Sequence, residues 1–223
     1  IRDRDSLTMA LAIKICGLTR DIDVEAAVQA GADLVGFVFF PPSPRSITVV
    51  RAAELTRLVP KGVTKVALSV DAGDDLLTDI AENAGIDMMQ FHGSEPFGRV
   101  VEAQKRFGLP VMKALAIGAA QDVIQTRAYE SVADFLMFDA KPPKDAVRPG
   151  GNAEAFDWGL IADQTWSKPW FLAGGLSPEN VAEAIRTSGA SGVDVSSGVE
   201  DAPGIKNFDK IHKFISAAIS VKT

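Results

Sequence analysis

The sequence predicts an α/β fold, a single-domain (β/α)8 barrel, and three observations carry that expectation. Apolar runs rich in Val, Ile and Phe alternate with helical stretches along the whole chain, the pattern of repeated βα units around a parallel sheet. The segment Trp170 to Glu200 holds two strand-then-glycine turns one βα unit apart, each leading toward a helix start. A length of 223 residues is near the short end for an eightfold barrel and ample for one large core.

In chain order, strands are expected at Ala12–Cys16, Leu34–Phe39, Lys65–Val70, Met88–Phe91, Val111–Ala114, Phe135–Phe138, Trp170–Leu172 and Val193–Val195. Helical patterns begin near Asp21, Val49, Asp74, Pro96, Ala119, Phe156, Pro178 and Phe208, so each strand is followed by one helix. An open doubly wound sheet is the competing arrangement. It would place a G-x-G-x-x-G turn after the first strand, where KICGLTRDID offers only Gly17, and here the phosphate-type turns come last rather than first. Residues 1–8, IRDRDSLT, are polar and precede Met9, so they read as an extension ahead of a barrel domain spanning 9–223.

Composition narrows the function. Hydrophobic content of 47% and charged content of 23% are ordinary for a globular chain, and no apolar run approaches a membrane span. A cytoplasmic enzyme with no membrane association is expected. The net charge of -6 argues against nucleic acid as a partner, because that mode of binding needs clustered Lys and Arg. One cysteine and two histidines leave no basis for a disulfide or a structural zinc site, so no metal is expected. Any anionic ligand must then be held locally. Backbone N–H groups in a glycine turn and at a helix N-terminus do that without a lysine, which makes the turns after the last two strands a candidate phosphate trap.

In a barrel, side chains at the C-terminal ends of strands point into the site. This selects Cys16 at the end of the first strand, Arg45 after the second, His92 after the fourth, Asp139 ending the sixth and Asp194 in the eighth. Each has a plainer reading. Cys16 could be a small core residue, although it stands beside Gly17 at a strand end. Arg45 could be solvated, but three prolines in PPSPR stiffen its loop and favour a fixed guanidinium. Asp139 could cap a turn or pair with Lys141; behind the apolar run Phe135–Phe138, its carboxyl would be held toward the neutral form and could act as an acid. His92 fits a structural role as well as a functional one.

The motifs KICGLT, GFVFFPPSPRSI, QFHG, FDA, PGGN followed by FDW, LAGGLSPENV and VDVSSGVE, in this order, resemble the phosphoribosylanthranilate isomerase family of tryptophan biosynthesis. The resemblance runs from Ile13 to the last helix. It implies a barrel of the ribulose-phosphate-binding type, a small phosphorylated substrate, and an Amadori rearrangement of an aminoaldose to an aminoketose with no cofactor. By matching position it makes Asp139 the general acid that opens the furanose ring and Cys16 the general base at C2. Arg45 would hold the anthranilate carboxylate, and Asp194, with His92, would contact the substrate. The phosphate would rest on backbone amides of Gly174, Gly175, Ser196, Ser197 and Gly198. A thiol of ordinary pKa, ~8.5, is only slightly ionised at neutral pH, so Cys16 needs modest activation, for which the cationic intermediate is a candidate.

Two departures from the family pattern stand out. Asn152, Ala153 and Glu154 follow PGG where Ser or Thr, Gly and often Lys are usual, and Ala67 and Ser69 replace a Gly and a Phe in the third strand, where altered packing at the barrel mouth is expected. The alternatives are another phosphosugar isomerase barrel of the histidine-pathway type, which carries an aspartate in place of Cys16, and a non-catalytic barrel that binds a phosphorylated metabolite. Monomer and homodimer both fit the sequence.

Overall fold

In a computed structural model, the structure describes residues 11–142, 150, 155–162 and 164–222. The expected extension 1–8 and the departure at Asn152, Ala153 and Glu154 lie outside the described residues. Strands β1 (Ala12–Cys16), β2 (Leu34–Phe39), β3 (Thr64–Ser69), β4 (Met88–Phe91), β5 (Val111–Ile117), β6 (Phe135–Ala140), β7 (Trp170–Leu172) and β8 (Gly192–Val195) pair in parallel in chain order. β8 closes on β1, with Lys14 opposite Asp194, so the sheet is a closed barrel. Helices α1 (Asp21–Ala30), α2 (Val49–Thr56), α3 (Asp74–Asn83), α4 (Phe97–Phe107), α5 (Ala120–Thr126), α6 (Gly159–Ala162), α7 (Val181–Ser188) and α8 (Phe208–Ile219) follow the strands in turn.

Strand periodicity divides the core in two. Ile13, Ile15, Val193 and Val195 face the helices and join the large outer core, whereas Ala12, Leu34, Val66, Met88, Met112, Met137 and Phe171 fill the barrel interior. Because both faces are covered, the strands read as continuous apolar runs; all five residues of β1 and all six of β2 are buried. α8 buries Ile211, Phe214, Ile215 and Ala218, the i, i+3, i+4, i+7 spacing of one helical face. Phe214 is fully buried there, and truncation to Ala would cost about 3–5 kcal/mol. Thr48 and Asn207 start α2 and α8 by accepting from the backbone N–H groups of Arg51 and Lys210.

Differences from the sequence expectation have local causes. β5 and β6 run farther than their apolar cores because Ala116 pairs with Asp139 and Ile117 with Ala140, which sets Asp139 inside β6 rather than just past it. α7 starts at Val181, three residues after Pro178, because Asn180 closes a turn by accepting from the Ser177 N–H and donating to the Gly175 carbonyl. α6 likewise begins at Gly159 rather than near Phe156. After β8 comes a short 3-10 turn at Ser197–Val199 and then an unexpected hairpin, β9 (Glu200–Ala202) with β10 (Ile205–Lys206), before α8. Ala67 faces the outer core rather than the barrel mouth, so that substitution alters packing against the helices.

Candidate active site

Nine of the ten residues singled out from the sequence line one cavity at the C-terminal mouth of the barrel: Cys16, Arg45, His92, Asp139, Gly174, Gly175, Asp194, Ser196 and Ser197. Gly198 stands behind this wall, its α-carbon packed so closely on the Leu176 carbonyl that a side chain would collide with it. It joins the two glycine turns to each other.

The turn after β7 is shaped by close approach. Gly174 has φ +85°, and a Cβ there would lie 2.5 Å from the Ala140 nitrogen and 2.8 Å from Asp139 Oδ1. Only glycine combines that backbone conformation with that contact. Asn180 fixes the other end of the turn, as described above. Across from it, Ser196 Oγ donates to the Cys16 carbonyl, and the buried Lys206 ammonium donates to the Ser196 carbonyl at 3.0 Å. Among the described residues, none accepts a hydrogen bond from the backbone N–H groups of Gly174, Gly175, Ser196 or Ser197. Such a ring of unspent donors suits a phosphate.

Asp139 is reached by His92 across the intervening β5: His92 Nε2 lies 2.9 Å from Asp139 Oδ2. The ring is held from behind by Gln90, whose Nε2 is 3.1 Å from His92 Nδ1. The ring therefore stands between the Gln90 amide and the Asp139 carboxyl, with one nitrogen toward each. The Ala140 N–H donates to the other oxygen, Asp139 Oδ1. Lys141, weighed from sequence as a partner, pairs instead with Asp122.

Arg45 is buried rather than solvated. Its Nε and Nη2 each donate at 2.7 Å to Glu200 in a bidentate pair, and Glu200 also accepts from Lys206 at 2.8 Å. Burial by itself would push the Glu200 carboxyl up, but Arg45 and Lys206 outweigh it and hold the group below the ordinary glutamate range. Burial pulls the Lys206 ammonium down, against Glu200.

Cys16 shares the barrel interior with Lys14, two residues earlier on the same strand. The wholly buried Lys14 donates to Asp194 Oδ1 at 2.7 Å, so Asp194 reaches the cavity already paired. Burial opposes the charge on Lys14, yet Asp194 and Cys16 more than offset it and hold the ammonium above its usual range. Burial pushes the Cys16 thiol up, with Lys14 the strongest opposing influence. To act as a base, Cys16 would therefore need more activation than an ordinary thiol.

Lys14, Gln90, Glu200 and Lys206 were missed from sequence. A signal existed for two of them. Lys14 is the one charged residue in AIKIC and Gln90 the one polar residue in MMQF, and each stands two positions before a candidate, hence on its face of the strand. Glu200 and Lys206 belong to a hairpin with no apolar pattern to announce it.

The N-(5'phosphoribosyl)anthranilate (PRA) isomerase family model matches residues 13–217. The chain is 53% identical over 210 residues to N-(5'-phosphoribosyl)anthranilate isomerase of Paramagnetospirillum magneticum, covering 94% of this chain and 98% of that one. Against the Paracoccus denitrificans enzyme of the same name, identity is 55% over the same shares. Among solved structures, phosphoribosyl anthranilate isomerase from Thermotoga maritima superposes with a TM-score of 0.85 at 34% identity, over 94% of this chain and 99% of that chain. A further structure of phosphoribosyl anthranilate isomerase, in complex with reduced 1-(o-carboxyphenylamino)-1-deoxyribulose 5-phosphate, superposes with a TM-score of 0.82 at 33% identity, over the same shares. Matched along nearly its whole described length in sequence and in fold, the chain belongs to the N-(5'-phosphoribosyl)anthranilate isomerase family.

Proposed function

We propose that this chain converts N-(5'-phosphoribosyl)anthranilate to 1-(2-carboxyphenylamino)-1-deoxyribulose 5-phosphate with Asp139 as general acid and Cys16 as general base. By family it is an aldose–ketose isomerase of tryptophan biosynthesis. The observation that carries the assignment of roles is that both groups open into one cavity together with the two glycine turns. An acid, a base and an anion site within one cleft are what the rearrangement asks for.

With its phosphate on the N–H groups of the turns after β7 and β8, the substrate would extend across the mouth toward Arg45. Glu200 occupies Nε and Nη2 of that guanidinium, so Nη1 and the second Nη2 hydrogen are the donors left for the anthranilate carboxylate. Two basic groups share one carboxylate in this cluster, giving a local attraction for anions in a chain of net charge -6. Asp139 donates a proton to the furanose ring oxygen, the ring opens to a Schiff base, and the Cys16 thiolate takes the C2 proton. The C2–H electron pair becomes the C1=C2 bond while the C1=N π pair moves onto nitrogen, and the resulting enolamine tautomerises to the ketone. Asp194 contacts the sugar hydroxyls from the floor of the cavity.

A fluorescence assay following the disappearance of freshly generated phosphoribosylanthranilate tests this reading. Rapid turnover by the wild type that is abolished in Asp139→Asn is the expected result. Unimpaired turnover in Asp139→Asn removes the acid from the scheme, and a wild type that binds the product analogue without turnover makes the chain a silent barrel.

A further inference from the structure

We propose that Lys14 is a positioning residue that makes Cys16 available as a thiolate, with Asp194 limiting how far it does so; the inference rests on Cys16 serving as the base. Lys14 and Cys16 leave β1 on the same face, and Gly36 of β2 stands opposite Cys16. A Cβ at Gly36 would lie 2.8 Å from Cys16 Sγ and 3.1 Å from Lys14 Nζ, so thiol and ammonium gather over the same bare α-carbon. Lys14 is wholly buried, which leaves its charge no water to screen it.

The groups facing the thiol come from three elements: Lys14 on its own strand, Asp194 on β8 and Lys206 on β10, with Arg45 farther along the cavity wall. Burial opposes ionisation of Cys16, Asp194 adds to that opposition, and Lys14 works against both more strongly than Lys206 does. Lys206 and Arg45 are also committed to Glu200, and Lys206 to Ser196 as well, whereas Lys14 divides its ammonium between Asp194 and the thiol. When the thiolate takes the C2 proton, an S–H bond forms and a C–H bond breaks, and Lys14 keeps its proton throughout because Asp194 remains its partner. In this arrangement Lys14 favours the thiolate whether or not the cationic intermediate has formed, and offsets part of the cost that burial places on ionising the thiol.

The test is the pH dependence of iodoacetamide alkylation, which reads a single site because the chain has one cysteine. It is measured on the wild type, Lys14→Met and Asp194→Asn, beside kcat/KM against pH. Lys14→Met should raise the alkylation midpoint by about one unit or more, the effect expected when an adjacent opposite charge is lost, and Asp194→Asn should lower it. The acid limb of kcat/KM in Lys14→Met should follow, with activity roughly tenfold or more down at neutral pH and recovering as pH rises. Should Lys14→Met fail to fold, Lys14→Gln is read in its place, an upward shift supporting the inference and an unmoved midpoint overturning it. Midpoints that stay put overturn the inference, since a lysine that merely packs against Asp194 would not move them in opposite directions. An alkylation midpoint that shifts while the kcat/KM limb stays fixed keeps Lys14's hold on the thiol and instead removes Cys16 from its role as base.

Discussion

His92 Nε2 and Asp139 Oδ2 meet at 2.9 Å across the mouth of the barrel, although their strands are separated by β5. Gly150 closes over the pair: a Cβ on it would stand 2.6 Å from Asp139 Oδ2 and 2.8 Å from His92 Nε2. The Asp139 carboxyl is thus held on three sides, by the imidazole, by the Ala140 N–H and by the bare α-carbon of Gly150.

If that hold aims the acid, His92→Ala should lower kcat by about 10- to 100-fold with little change in KM, because a misaimed catalytic group costs rate rather than binding. Steady-state kinetics on the purified variant checks it. A KM effect with kcat preserved would place His92 in substrate binding instead.

Arg45 and Glu200 should separate binding from chemistry in the opposite sense. A carboxylate grip present in both ground and transition states is uniform binding, so Arg45→Ala should raise KM roughly 10- to 100-fold, the worth of one charge-assisted hydrogen bond. Glu200→Gln leaves the guanidinium in place but loosens its aim, and a smaller KM increase is expected. An unchanged KM in Arg45→Ala would reassign the residue to holding the β9–β10 hairpin.

At Gly174 the backbone and the site make the same demand. Gly174→Ala places a methyl group against the Ala140 nitrogen in a left-handed backbone conformation, so a loss of about 1–3 kcal/mol in stability is expected together with a raised KM. Urea denaturation beside kinetics measures both. A variant as stable as the wild type would show that the turn can relax, and would weaken the case for a rigid phosphate site.

The barrel was legible because a buried parallel strand needs apolar residues on both faces, and such runs survive any choice of loop. The cavity residues were legible because chemistry in a barrel collects at strand ends, and Cys16, Asp139 and Asp194 sit at or near theirs. Partners were not. Lys14 could be placed on the face of Cys16 by period alone, but its pairing with Asp194 depends on β8 closing against β1, 180 residues away in sequence. The Arg45–Glu200 pair, 155 residues apart, was hidden for a further reason: a short hairpin carries Glu200, and nothing in the pattern of VDVSSGVE says that its last residue folds back under a proline-rich loop.

That same Glu200 supplies a test in acid. Its folded pKa is depressed, because Arg45 and Lys206 outweigh its burial. A depressed carboxyl contributes stability that is fully present above the pKa of the unfolded chain, about 4.3, and is lost as pH falls through the lower folded value. At neutral pH, Glu200→Gln leaves two buried cations without their counter-charge and should be less stable by about 3–5 kcal/mol. The gap between wild type and variant, read from urea melts, should hold steady from neutral pH down to about pH 5, then narrow as the wild-type carboxyl takes up its proton and comes to resemble the amide. A gap that stays constant into strong acid would mean that Glu200 holds Arg45 by shape and hydrogen bonding, with its charge contributing nothing.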